Sequence, residues 1–367
     1  MAGYLSTLKN DVARWQAAGL IDVRTGEAML RDAEAHHGRG ISFGSVLSVL
    51  AAALVGAALL LFVAANWEAF PRVARVALIF IGILVGYVGG AGLKARGHAG
   101  LGEALWLLAA VAFGAGIALV AQMYQLSGDE AQAILVWCAG TALAAIALRS
   151  HPLTVGAVLL AGAWLLMTAT ASGRGDHVPL SWLALAVVLW AVSLWTASAA
   201  SRHLLLLSAM LFAGLLYVDH ESLRAPAILA AVSAAAFALG VWRPEAADRL
   251  VRLDGGLPVH GLLGFIAGMS AIQFEYYDEP EFLYVAIVVF AGVVAALVLA
   301  GRSSRVLRWL AYAAFVYELG FVYVALIGTM LDTASFFLAA GLVLALIAVV
   351  ITRIERRMAA AAAEVRP

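Results

Sequence analysis

The residue best placed for chemistry in this sequence is Glu318, in Val316-Tyr317-Glu318-Leu319-Gly320. It lies ten residues into an apolar stretch of 20, Trp309 to Gly328. Insertion scales put an acidic or basic residue at the centre of a membrane helix at roughly 2.5–3.5 kcal/mol, and such residues usually face the bundle interior and carry function. Apart from Arg75 at the very start of the second stretch, no apolar stretch of the chain carries a Lys or Arg to pair with it. Its carboxyl is therefore expected in the neutral form. A neutral Glu either donates to a carbonyl or a nearby Tyr, as a structural element, or relays a proton or cation.

Three further polar groups stand at the ends of apolar stretches: Asn66-Trp67-Glu68, Gln122-Met123-Tyr124-Gln125 followed by Gly128-Asp129, and Gln273-Phe274-Glu275-Tyr276-Tyr277. Trp and Tyr form belts at most membrane interfaces, and carboxamides there satisfy helix-end carbonyls. The competing reading gathers Asn66, Trp67, Gln122, Tyr124, Asp129, Gln273, Glu275 and Tyr276 into one polar pocket. Carboxamides would hold a neutral or zwitterionic ligand there, and rings would stack on it.

The sequence contains no H-E-x-x-H and no Walker-type phosphate loop. His36-His37, His151, His177, His203 and His220 are scattered along it, so neither a metal site nor a cofactor is expected. The single cysteine, Cys138, has no intramolecular partner. An intramembrane transferase built on isolated carboxylates stays as a minor alternative.

The elements that must position these residues are helices in lipid. Of 367 residues 64% are apolar and 13% charged, where a soluble domain has about 45–50% and about 25%. A crossing helix needs about 20 apolar residues. Twelve stretches approach that length: 43–65, 74–93, 101–121, 131–148, 153–170, 179–198, 203–218, 226–242, 259–274, 282–300, 309–328 and 334–352. The seventh, eighth and ninth are short, and re-entrant or tilted segments fit them as well as full spans. The fold class expected is an all-α polytopic bundle of about twelve spans.

Charge orients the bundle. With the amino terminus in the cytoplasm, 19 of the 23 Lys and Arg fall on the cytoplasmic side, leaving only Arg72, Arg75, Arg174 and Arg224 outside. Both termini are then cytoplasmic. Gly82, Gly86 and Gly90 recur every fourth residue of the second span and make a flat face for close helix packing, within the chain or against a second copy.

The chain divides by composition into residues 1–42, a membrane bundle over 43–352, and a basic cytoplasmic tail over 353–367. Charged residues such as Lys9, Asp11 and Arg14 interrupt the first segment, which reads as no cleavable signal. Leu5, Leu8, Val12 and Trp15 repeat there at helical spacing, Gly19 supplies a stop, and Asp22 or Thr25 can cap a second helix. The segment is read as a cytoplasmic helical hairpin. Five basic residues balance five acidic ones across it, so it lacks the footprint of a nucleic-acid reader, and a protein partner is the alternative to self-packing.

The hairpin carries Trp15 and Gly19-Leu20-Ile21-Asp22, the first span ends in Ala65-Asn66-Trp67, and the third ends in Ala121-Gln122-Met123-Tyr124 before Gly128-Asp129. This order of W-x-x-x-G-L-I-D, A-N-W, A-Q-x-Y and G-D resembles a bacterial family of predicted multi-pass membrane proteins catalogued as a domain of unknown function. The similarity runs over residues 1 to about 150. The resemblance implies residence in the bacterial inner membrane and carries no activity with it. A transporter or ligand sensor is the expectation drawn from the residues, with an assembly protein docking through the hairpin as the alternative.

Overall fold

The computed structural model describes residues 2–36, 50–51, 54, 61, 65, 70–125, 128–170, 178–300, 304–326, 337–338, 341–342 and 345. Among them run thirteen α-helices and no strand: α1 Ala2–Ala17, α2 Val23–His36, α3 Arg72–Ala95, α4 Ala99–Met123, α5 Glu130–Leu148, α6 His151–Thr170, α7 Ser181–Trp195, α8 Ala199–His220, α9 Arg224–Trp242, α10 Pro244–Val251, α11 Leu257–Glu275, α12 Phe282–Ala300 and α13 Arg305–Leu326. The chain divides into two compact units, Met1–Leu78 and Ile79–Pro367.

In the first unit, α1 stops where Gly19 takes φ +70°, a conformation glycine adopts without strain. Asp22 then precedes α2 and accepts from the Thr25 N–H at 3.0 Å. Thr25 lies inside the helix, which decides between the two expected caps. Hydrogen bonding from Thr25, by its side chain first and then by this backbone N–H, holds the Asp22 carboxyl below the usual carboxylate range. Val12 is buried, and a Cβ on Gly26 would come 3.0 Å from it, so α1 and α2 lie close together.

In the second unit, nine helices among the described residues are long and apolar enough to cross a membrane. Large apolar side chains point outward along them: on α3 alone Phe80, Ile81, Leu84, Val85 and Val88 are exposed while Gly86 and Gly90 are buried. Water would penalise such a surface heavily, and hydrocarbon does not. Ten of the twelve expected stretches coincide with helices, α3 to α9 and α11 to α13. The first and twelfth lie mostly outside the described residues. The helix for the sixth stretch, α7, has only 15 residues.

The three stretches doubted for their length form α8, α9 and α11, continuous helices of 22, 19 and 19 residues. They run longer than their apolar cores because polar residues join their ends. Ser198 caps α8 by accepting from the Ser201 N–H, and this takes Arg202 into the helix. The short α10 was not expected. Pro244 opens it, Glu245 stands in its first turn and Arg249 in its last, a charge order that suits a helix dipole.

Close glycine packing appears twice. Gly86 and Gly90 of α3 meet α4, where a Cβ on Gly86 would lie 2.8 Å from the Ala109 Cβ and one on Gly90 2.8 Å from the Gly102 carbonyl. Among the described residues a Cβ on Gly82 would meet nothing within 4 Å, so the contact with α4 is made by Gly86 and Gly90 of the three glycines. The second seam joins α9 to α11. A Cβ on Gly261 would lie 2.7 Å from the Phe237 nitrogen, and one on Gly268 2.6 Å from the Pro226 carbonyl. Only glycine lets two backbones approach so closely.

Candidate functional site

Around α11 the packing partners are α8, α9, α12 and α13. Its Gln273 faces α13, where the Gln273 Nε2 donates to Glu318 Oε1 at 2.8 Å. Both side chains are 0% exposed. The remaining oxygens, Gln273 Oε1 and Glu318 Oε2, are buried and meet no hydrogen-bond partner among the described residues. As a carboxylate, Glu318 leaves a charge and two unpartnered acceptors, which is costly in a low-dielectric setting. As an acid, it sheds the charge and its hydroxyl brings a donor into the site.

Glu318 has the start of α12 and the turn after α11 for neighbours. Phe282, the first residue of α12, stacks on Phe321 with centroids 6.0 Å apart, and Tyr277 meets both rings edge-on at 6.3 Å. Phe321 follows Glu318 by three residues, so the carboxyl lies about one helical turn along α13 from this aromatic group. A cleft of about 210 Å³ between α11 and α13 is lined by Leu262, Ile266, Leu310 and Tyr317 among others. It stops at Tyr317, beside Glu318, without including the carboxyl.

Among the described residues no hydrogen bond joins the other expected site residues to this pair. Asn66 and Trp67 lie outside the described residues. Gln122 is exposed and Tyr124 is 50% exposed at the end of α4. Asp129 caps α5, accepting from the Ala131 N–H at 2.9 Å. Glu275 is exposed and accepts from the Tyr217 hydroxyl at 2.8 Å, while Tyr276 ends α11. Among the described residues no hydrogen bond joins Gln122, Tyr124 or Asp129 to Gln273, Glu275 or Tyr276. Helix α4 packs on α5 and α6, a different group from the neighbours of α11.

At the opposite end the structure brings together residues that spacing left apart. Lys94 pairs with Glu103 at 2.6 Å and stands 4.3 Å over the Trp106 ring, while the Ser150 hydroxyl also bonds Glu103. Arg202, 5% exposed, donates to the Ser193 and Arg252 carbonyls at 3.0 and 2.9 Å. His203 meets His260, 57 residues further on. That pairing corrects the reading of the histidines as scattered. Periodicity would have found the α9 to α11 seam, since Gly264 and Gly268 form a G-x-x-x-G, but it gives no sign of the histidine contact. Among the described residues no group of three or more His, Cys, Asp or Glu could hold a metal ion. Cys138 is fully buried and bonds the Ala157 carbonyl at 3.2 Å.

No curated protein and no solved structure matches the chain. Residues 13–154, which hold the quoted motifs from Trp15 to Asp129 and end well before Gln273 and Glu318, match the family model described as a predicted membrane protein, DUF2157, a membrane domain of unknown function.

Proposed function

We propose that this chain is a proton-linked transport or ligand-sensing protein of the bacterial cytoplasmic membrane, non-enzymatic, with both termini in the cytoplasm. The observation that carries the reading is the Gln273–Glu318 pair, buried among α11 and α13 with one oxygen on each side lacking a donor. One proton on Glu318 completes the pair, and its loss leaves a charge among apolar walls, so the two states differ strongly in how α11 and α13 hold together. The 19 to 4 division of Lys and Arg supports the orientation.

Backbone hydrogen exchange of the full chain in bilayer discs, corrected for intrinsic rates, tests this. Exchange in α11 and α13 of the wild type should rise at alkaline pH, while Glu318→Gln should keep one low rate at every pH. Wild-type exchange that ignores pH, or a Gln variant that still follows it, would overturn the reading.

A second reading has its own support. In the first unit Leu20 is 72% exposed and Val23 66% exposed at the turn between α1 and α2, an apolar tip that suits docking of a protein partner.

A further inference from the structure

Where α8 and α11 cross at the end opposite Tyr217 and Glu275, Nδ1 of His203 lies 2.7 Å from Nε2 of His260, with ring centroids 4.9 Å apart. His260 is 7% exposed, and its Nδ1 is buried with no hydrogen-bond partner. The backbone hems in the first ring: a Cβ on Gly256 would come 2.7 Å from the His203 Cε1.

We infer that His203 and His260 form a coupled pair that takes up at most one proton while the contact holds, which ties the contact between α8 and α11 to pH at that end. The inference is independent of the role given to Glu318. It follows from counting protons. Two neutral imidazoles carry one N–H each, and a 2.7 Å contact needs one N–H facing one lone pair. With His260 donating through Nε2, His203 keeps its own N–H on Nε2 and the buried Nδ1 of His260 is a lone pair. The reverse arrangement would bury an N–H with no acceptor, which costs more. A third proton has one vacant place, Nδ1 of His260, where it too would be a buried N–H with no acceptor among the described residues. A fourth can go only between the rings, where both nitrogens would then be donors, and the contact must open.

The surroundings do not relieve that limit. Arg202 is the neighbour of His203 on α8. The elements packed against the pair bring Arg243 at the end of α9, Glu245, Asp248 and Arg249 on α10, and Arg252 and Asp254 in the turn into α11. They also bring Arg305 and Arg308 at the start of α13 and His151 at the start of α6. The described parts of α7 and α12 bring no charged group at that end. Among the described residues no carboxylate bonds either ring, and the Asp248 Oδ1 is occupied by the Gly255 N–H at 3.2 Å.

The unfolded chain lets both rings ionise, so below the imidazole range of about 6.5 it holds at least one proton more than the folded chain. Stability therefore falls as pH falls, by at least tenfold in the folding constant per pH unit from this pair. Unfolding of the full-length protein in micelles, followed from about pH 8 to about pH 5, measures the slope. His260→Gln should reduce it by about tenfold per pH unit, since a carboxamide turns to accept or donate and no longer limits the protons on His203, while His203→Gln should reduce it less, because Nδ1 of His260 stays buried without an acceptor. Equal slopes in wild type and both variants would overturn the site. Should the variants not fold, nitrogen NMR of the histidine-labelled wild type decides. One shared proton between His203 and His260 at acid pH supports the site, and two fully protonated rings in the folded protein refute it.

Discussion

Removing either half of the Gln273–Glu318 pair should be far worse than removing both. In Gln273→Leu, Glu318 loses its one hydrogen bond and both carboxyl oxygens are left bare in a site with 0% exposure. In Glu318→Leu, the Gln273 carboxamide is left buried with no partner at either end. A buried polar group without a partner costs about 1–3 kcal/mol, so each single variant should lose about that much. The double variant replaces both groups with apolar ones of similar size and should lie within about 1 kcal/mol of wild type. Intramembrane hydrogen bonds measured by such cycles average about 0.6 kcal/mol and reach about 1.7. The coupling expected here is at the upper end, about 1–2 kcal/mol, because no other described partner relieves either group. Denaturant-driven unfolding of the four proteins in mixed micelles gives the cycle directly. Additive losses, with a coupling below about 0.3 kcal/mol, would show that the two side chains do not depend on each other and would refute the reasoning.

The two glycine seams predict a sharp contrast in thermal unfolding. Gly90→Leu and Gly268→Leu should each cost about 1–3 kcal/mol or more, because the new side chain meets backbone, whereas Gly82→Leu should stay within about 0.5 kcal/mol. Reporter enzymes fused after residue 130 and after residue 367 should place the first outside and the second in the cytoplasm. A cytoplasmic signal at 130 would reverse the proposed orientation.

Helices were legible in the sequence because lipid leaves the backbone no alternative: any apolar run near 20 residues must pair its amides internally. Their ends were less legible. Arg202 reads as a loop residue by hydropathy, yet the Ser198 cap extends α8 past it and its guanidinium finds two carbonyls. Glu318 stood out by its cost alone, but Gln273, 45 residues away, read as one member of an interfacial cluster. Helical periodicity tells which residues share a face and not which helix that face meets, so neither this pair nor His203 with His260 could be read from spacing. Spacing marks Gly82, Gly86 and Gly90 as one face but not which helix meets it; among the described residues α4 passes Gly86 and Gly90 and nothing comes within 4 Å of a Cβ on Gly82.

The seam between α9 and α11 has a mechanical consequence. Gly261 and Gly268 bring the two backbones into contact at two points of α11, with Gly264 against the Ser233 side chain between them, so bending one helix alone there would drive main chain into main chain. The two helices therefore behave as one stiff strut. His260 and Gln273 stand 13 residues apart on that strut, about 20 Å at the rise of an α-helix. A tilt that parts His260 from His203 at one end cannot be absorbed along the way, and it arrives at the other end as a displacement of Gln273 against Glu318.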